Sequence, residues 1–249
     1  MGATSEFYNE LKAAEPFFIL AGPNVIESAD HVMKMARQIK SVTDELGLKL
    51  VFKSSFDKAN RTSMNSFRGP GLEEGLKILE RVKITYDLPI VTDVHETSQV
   101  MVNSAFKVRT SGNPNVMVCE RGTMFGYSKE DDPCYLKSQQ GVHGIVTQPV
   151  ADITHSLQQP AGRKIEGGGV ASGGLRELIP CVARTCVAVG IDGIFMEVHD
   201  NPLQAPVDGP TQWPLRNLKS LLEELVAIGR VTKGKQQYNV DLTPVLEDF

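Results

Sequence analysis

LVFKSSFDKANRTSMN, residues 50–65, decides how the rest of the chain is read. Leu50, Val51 and Phe52 form an apolar run without alternation, the mark of a strand buried on both faces. Lys53, Ser54, Ser55, Asp57, Lys58, Asn60, Arg61 and Thr62 follow at once. Cations and hydroxyls gathered at the end of a buried strand point to a pocket for a phosphorylated or carboxylated ligand, because Arg forks and Lys point charges bind such anions. A basic surface loop is the plainer reading of the same residues. What separates the two is whether other strands end in the same way.

Working outward, they do. Apolar runs at 17–21, 88–94, 115–119, 150–153 and 193–198 read as further strands, six with the first. Amphipathic spacing predicts helices over 29–46, 72–86, 175–189 and 215–228. The first of these has Ser28 as N-cap, Val32, Met35, Ala36, Ile39 and Val42 on one face, and Gly47 as its stop. In the second, Leu72, Leu76, Leu79 and Val82 share a face. Strands of this kind, separated by helices, form parallel sheets covered on both sides. Polar groups stand at every strand end: Asn24 and Glu27; Lys53 and Lys58; Asp93, His95 and Glu96; Glu120 and Arg121; Asp152, Thr154 and His155; Glu197 and His199. A doubly wound sheet binds only at its switch point, whereas a (β/α)8 barrel builds its site from many strand ends. The expectation is an α/β chain of the TIM-barrel type, in one domain over 1–249. A lone His after a strand is more often structural than catalytic; the repetition favours a site.

Composition agrees with a single globular domain and narrows the partners. The chain has 249 residues, a net charge of -4, 41% hydrophobic and 22% charged residues. The slightly negative balance, with cations spread along the chain, gives no nucleic-acid footprint. No run approaches the roughly 18 apolar residues of a membrane span. Residues 1–16 contain acidic groups and no apolar core, unlike a secretory leader, and Glu6 breaks the myristoylation pattern that Gly2 opens. Cys119, Cys134, Cys181 and Cys186 lack paired metal spacing and are expected to be reduced thiols in a cytoplasmic protein.

Eight stretches together carry a resemblance: AGPNVIES (21–28), KSSFDKANRTS (53–63), FRGPG (67–71), TDVHE (92–96), CERGTMFGY (119–127), DITHSLQQPAG (152–162), ASGGLRELIP (171–180) and MEVHDNPLQAPVDGPTQWPL (196–215). In order and spacing they resemble the 3-deoxy-D-manno-octulosonate 8-phosphate synthases, with ASGGLRELIP and DGPTQWPL similar to the plant branch. The resemblance covers most of the chain. It implies condensation of phosphoenolpyruvate with D-arabinose 5-phosphate, with release of phosphate, by a homo-oligomer (dimer or tetramer). It also implies roles. Lys53, Lys58 and Arg121 match cations that hold phosphoenolpyruvate. Asn60, Arg61 and Thr62 match positions for arabinose 5-phosphate, some of which reach a neighbouring subunit. Asp93 matches an orienter of the lysines. His155 and Asp208 flank the reacting carbons and position or activate water, and Ser55, Gln158 and Glu197 complete the substrate-binding set. The scaffold and chemistry are shared with 3-deoxy-D-arabino-heptulosonate 7-phosphate synthases; KSSFDKANR favours the eight-carbon product.

The family has a metal class and a metal-free class. The metal class carries Cys at the position of Asn24, beside His, Glu and Asp matching His155, Glu197 and Asp208. An amide oxygen is a weak ligand and cannot replace a thiolate's charge. The expectation is the metal-independent type, with no cofactor and with Asn24 and Lys58 among the catalytic residues.

One departure sets this chain apart. The family's barrel has eight strands, and only six are legible here. Residues 97–115 leave room for one short helix where the family has two strand–helix units, including a cation for each substrate. The junction falls near 97–101, and residues 128–149 also diverge. The expected architecture is a six-strand remnant with a gap or a forced closure between the strands ending at Val94 and Cys119. Two functional readings follow: a synthase with impaired activity, or an inactive relative that binds a phosphate ligand or full-length subunits.

Overall fold

The computed structural model describes residues 2–58, 67–93, 115, 117–121, 148–164 and 170–233. An N-terminal helix, α1 (Gly2–Lys12), precedes β1 (Phe18–Gly22), α2 (Ala29–Leu46), β2 (Leu50–Lys53), α3 (Leu72–Tyr86) and β3 (Ile90–Val91). Then come β4 (Met117–Glu120), β5 (Gln148–Asp152), β6 (Gln158–Lys164), β7 (Val170–Gly174), α4 (Ile179–Ala188), β8 (Gly193–His199), β9 (Trp213–Pro214) and α5 (Leu218–Thr232).

Six strands pair in parallel in the order β3-β2-β1-β8-β5-β4, with β9 beside the end of β8. This is the α/β arrangement of the TIM-barrel family, with six strands in the ladder among the described residues. β3 and β4 stand at its two ends, and among the described residues no pairing closes them into a ring. These are the strands on either side of the junction expected from the sequence.

Alternation along the strands divides the core in two. Phe17, Ile19, Ala21, Leu50, Phe52, Ala151, Ile194, Met196 and Val198 pack toward the helices. Phe18, Val51 and Val150 face the other way, together with the partly buried Leu20, Val91, Met117, Cys119 and Phe195. Phe7, Leu11 and Ala14 join this second group, so residues of α1 and the turn after it pack against the strands' inner face.

Local chemistry explains the helix ends. Ser28 Oγ accepts from His31 N at 3.2 Å, and Gly47, at φ 69°, closes α2 in the left-handed region that glycine enters without penalty. α2 buries Val32, Met35, Ala36, Ile39 and Thr43, almost the face its spacing predicts. α3 differs. Its buried face is Gly75, Ile78, Leu79 and Val82, whereas Leu72 and Leu76 are exposed. Gly75 turns inward because a Cβ there would lie 2.3 Å from the Phe56 side chain, so the close approach of Phe56 sets the rotation of the helix.

The sequence gives other boundaries less well. The helix expected over 175–189 begins at Ile179, after a single tight turn at Arg176–Leu178. The one expected over 215–228 opens with a similar turn and runs to Thr232. Residues 158–164 and 170–174 form an antiparallel hairpin, outside the strands expected from the sequence. The first helix was not expected at all.

Candidate active site

The C-terminal ends of β1, β2, β5 and β8 converge on one cluster of buried charge. Glu197, from β8, is completely buried and stands at its centre. Its Oε2 accepts from Asn24 Nδ2 at 2.7 Å. Its Oε1 lies 3.2 Å from Lys53 Nζ, 3.4 Å from His155 Nε2 and 4.0 Å from Lys58 Nζ. Burial works against the charge of Glu197, but His155, Lys53, Lys58 and the Asn24 hydrogen bond outweigh it and bring the carboxyl down to about 2.

Asp93 is the second anchor. Its Oδ2 lies 3.3 Å from Lys53 Nζ and 3.2 Å from Lys58 Nζ, and accepts from Ser55 Oγ at 2.6 Å. Burial raises its pKa, and Lys53, Lys58 and Ser55 more than reverse this, so it stays ionised. The two lysines then part company. For Lys53 burial opposes the charge, but Glu197 and Asp93 win and hold it protonated. For Lys58 burial and the neighbouring Lys53 prevail, and its pKa falls. Lys53 is the more firmly charged of the two; an incoming anion would favour the charge of Lys58. Lys53 also lies 5.3 Å from the centroid of the Phe195 ring.

Behind His155 sits Asp152, at the end of β5. Its Oδ2 accepts from His155 Nδ1 at 2.7 Å, and Arg121 Nε lies 3.5 Å from the same oxygen. Burial lowers the pKa of His155, but Glu197 and Asp152 outweigh it and raise it overall. Opposite, Asp208 Oδ2 accepts from Asn24 Nδ2 at 3.2 Å, from a backbone held at φ 47°. Gln212 Oε1 receives the Asn24 backbone N–H at 3.3 Å.

The structure therefore brings together Asn24, Lys53, Ser55, Lys58, Asp93, His155, Glu197 and Asp208. Arg121 lies at the rim, its side chain 59% exposed. Gln158 starts β6 and pairs with Gly174 of β7. Asn60, Arg61 and Thr62 lie outside the described residues. Sequence reasoning passed over Asp152, Thr154 and Gln212 as site residues. For the first two a signal existed: Asp152, Thr154 and His155 have the spacing of an Asx turn.

Donor chemistry at Asn24 bears on a metal. Its amide NH2 is the group turned to Glu197 and Asp208, so a donor stands where ligands would have to converge. Asn24 Oδ1 is buried and has no hydrogen-bond partner among the described residues. A second cluster, Glu27, His31 and His199, has ligand-type atoms within 4.8 Å of one another. Within it the Asn201 N–H donates to His199 Nδ1 at 2.9 Å, so Nε2 carries the hydrogen and donates to Glu27 at 2.7 Å. Asp200 meanwhile holds His31 and Lys34, which ties the first turns of α2 to the end of β8.

Comparison with known proteins agrees with this geometry. The family model described as the DAHP synthetase I family matches residues 12–106 and 99–233, in two pieces. A protein of Arabidopsis thaliana named 2-dehydro-3-deoxyphosphooctonate aldolase 1 is 61% identical over 290 positions, covering 98% of this chain and 99% of the relative. The Pisum sativum protein named 2-dehydro-3-deoxyphosphooctonate aldolase is 60% identical, covering 96% and 98%. One of the same name from Xanthomonas campestris is 39% identical, covering 90% and 95%. An alignment of 290 positions exceeds the 249 residues here, so the Arabidopsis relative carries residues this chain lacks. With a family model spanning most of its length and plant relatives at 60–61% identity, the chain belongs to the DAHP synthetase I family and, within it, to the 2-dehydro-3-deoxyphosphooctonate aldolases.

Proposed function

We propose that this chain condenses phosphoenolpyruvate with D-arabinose 5-phosphate to 3-deoxy-D-manno-octulosonate 8-phosphate, releasing inorganic phosphate, without a metal ion. The observation that carries this reading is the buried Lys53–Glu197–Asp93–Lys58 cluster at the strand ends of a chain 61% identical to a 2-dehydro-3-deoxyphosphooctonate aldolase. The reaction joins C3 of phosphoenolpyruvate to the aldehyde carbon of the sugar. Water adds at C2, and phosphate departs.

Each step asks for something the residues supply. Lys53 and Lys58, with Arg121 at the rim, offer cations to a carboxylate and a phosphate. The Asp93 and Glu197 carboxylates hold the lysines in place before substrate arrives, which lowers the reorganisation needed during the reaction. His155, its Nε2 toward Glu197, and Asp208 border the volume in which water would meet C2. The buried Asn24 Oδ1 has no donor among the described residues, which suits a bound water or hydroxyl. Its amide NH2, facing both carboxylates, supports the metal-independent reading. Asn60, Arg61 and Thr62 are proposed to hold the sugar phosphate, and Ser55 and Gln158 to complete the substrate-binding set. The proposal extends to a cytoplasmic homo-oligomer. Among the described residues no helix is long and apolar enough to cross a membrane.

The two-piece family match, with its pieces meeting at 99–106, supports a junction close to residues 97–101 where two strand–helix units are absent. The test is phosphate release from phosphoenolpyruvate with arabinose 5-phosphate, with erythrose 4-phosphate beside it. Turnover with the five-carbon sugar is expected. Preference for erythrose 4-phosphate would move the chain to seven-carbon synthesis. Phosphoenolpyruvate binding without turnover of either would favour the inactive relative.

A further inference from the structure

Asp152 is 3% exposed, and every direction from its carboxylate is used. Oδ1 accepts from Thr154 N at 3.1 Å, Thr154 Oγ1 at 3.0 Å and His155 N at 2.9 Å, closing the turn that follows β5. Oδ2 faces His155 Nδ1 at 2.7 Å and Arg121 Nε at 3.5 Å. The hydroxyl of Thr154, having given its hydrogen to Asp152, accepts from the Glu197 backbone N–H at 3.3 Å. One carboxylate thus joins the ends of β4, β5 and β8.

We propose that Asp152 is the positioning residue that fixes the His155 ring and the Arg121 guanidinium relative to Glu197. The inference rests on the condensation reading above and adds to it a residue that touches neither substrate. The chemistry follows from polarity. An ionised carboxylate only accepts, so the His155 nitrogen facing it, Nδ1, carries a hydrogen, and Nε2 is the atom presented to Glu197 and the reaction volume. The same oxygen draws the exposed Arg121 toward the histidine instead of leaving it to solvent. Asp152→Asn keeps the shape and can keep an oxygen for the turn, but it aims an NH2 at both His155 Nδ1 and Arg121. The histidine then loses its acceptor and the guanidinium meets a donor. Replacing a carboxylate that orients a histidine by the isosteric amide is known to cost rate through the wrong tautomer while geometry survives.

Two measurements test this. Nitrogen-15 NMR of the wild-type protein, at one fixed pH, is expected to show His155 Nδ1 bonded to hydrogen; a bare Nδ1 overturns the proposal. This needs neither turnover nor a variant, so it stands even if the condensation reading fails or Asp152→Asn does not fold. Steady-state kinetics then compare Asp152→Asn in the wild-type and Arg121→Ala backgrounds. In the first, kcat is expected to fall about 10- to 100-fold, with a rise in the KM for phosphoenolpyruvate. In the second, the KM is expected to rise no further, because the group being aimed is gone. A folded Asp152→Asn with unchanged kcat, or the same KM rise in both backgrounds, sinks the proposal.

Discussion

Asn24 donates its amide to the Glu197 carboxylate across 2.7 Å, with both side chains buried. A neutral donor thus stands beside an ion that has cations on its other oxygen. Exhaustive chelation is accordingly expected to leave turnover unchanged. Asn24→Cys removes the donor and supplies a thiolate beside His155, Glu197 and Asp208; its activity should then fall on chelation and return with a divalent ion. Loss of wild-type activity on chelation, restored by a divalent ion, would reverse the metal-free reading.

The two lysines should separate in an unfolding experiment. Lys53→Met leaves Glu197 and Asp93 without their shared, fully buried cation, and removing one partner of a buried pair costs about 3–5 kcal/mol. Lys58→Met removes a group whose charge is already disfavoured by burial and by Lys53. Urea titration is expected to show the smaller loss for Lys58→Met. Comparable losses would mean that the two cations are not as unequal as the geometry makes them.

Stability should erode at both ends of the pH scale, for opposite reasons. Glu197 is brought down from 4.5 to about 2, so its contribution is present above the unfolded value and lost as pH falls through about 2. His155 is shifted upward from 6.5, so its contribution is complete below 6.5 and lost as pH rises through the folded value. Denaturant midpoints measured across pH should show Glu197→Gln flattening the acid limb and His155→Gln the alkaline one. If each variant merely lowers the whole curve, these ionisations do not govern it.

Gly22 is a steric prediction. A Cβ there would lie 1.9 Å from the Lys53 carbonyl oxygen, which is backbone and cannot rotate away. Gly22→Ala must push β1 from β2 where Lys53 enters the site. The expected cost is about 1–3 kcal/mol, with a disproportionate loss of turnover. Full activity in a destabilised Gly22→Ala protein would show that the strand ends can part without moving Lys53.

The absent units give a comparison of rates. Loss of one charge-assisted contact to a buried anion costs roughly 1.5–3 kcal/mol, about one to two decades in rate, and each substrate is expected to lack one such contact. Phosphate release by this chain is expected to be at least about a hundredfold slower than by a version with both strand–helix units restored. Equal rates would remove the junction as a cause of impairment.

Much of this was legible in the residues. Ser28 and Gly47 announced the limits of α2, and the runs at 17–21, 50–53 and 193–198 announced buried strands, because caps and unbroken apolar runs are local signals. The rotation of α3 was not legible. It depends on Phe56 pressing against Gly75, a contact between elements, and Leu72 and Leu76 look like core residues until that contact is known. The hairpin of β6 and β7 was not expected either, because glycine-rich segments lack the apolar run that marks a strand. At the site, residue types were legible, but the division of labour between Lys53 and Lys58 was not, since Glu197 and Asp93 outweigh burial at Lys53, whereas burial and the charge of Lys53 prevail at Lys58. Asp152 was visible as a polar strand end. Its five contacts follow only from the turn it closes.

The strand order carries a consequence for repair. Along the six-strand path β2, β1, β8 and β5 each have a neighbour on either side, with β9 beside β8 as well, and β3 and β4 stand at the two ends among the described residues. Material missing between these two would interrupt none of the described pairings, like pages removed from the open end of a bound volume. A deficit there would be modular. If two units are missing there, a separate polypeptide carrying them is expected to pair with Ile90–Val91 on one side and Met117–Glu120 on the other. Fragment complementation, with the second piece supplied as its own chain, becomes the natural route back to a whole enzyme.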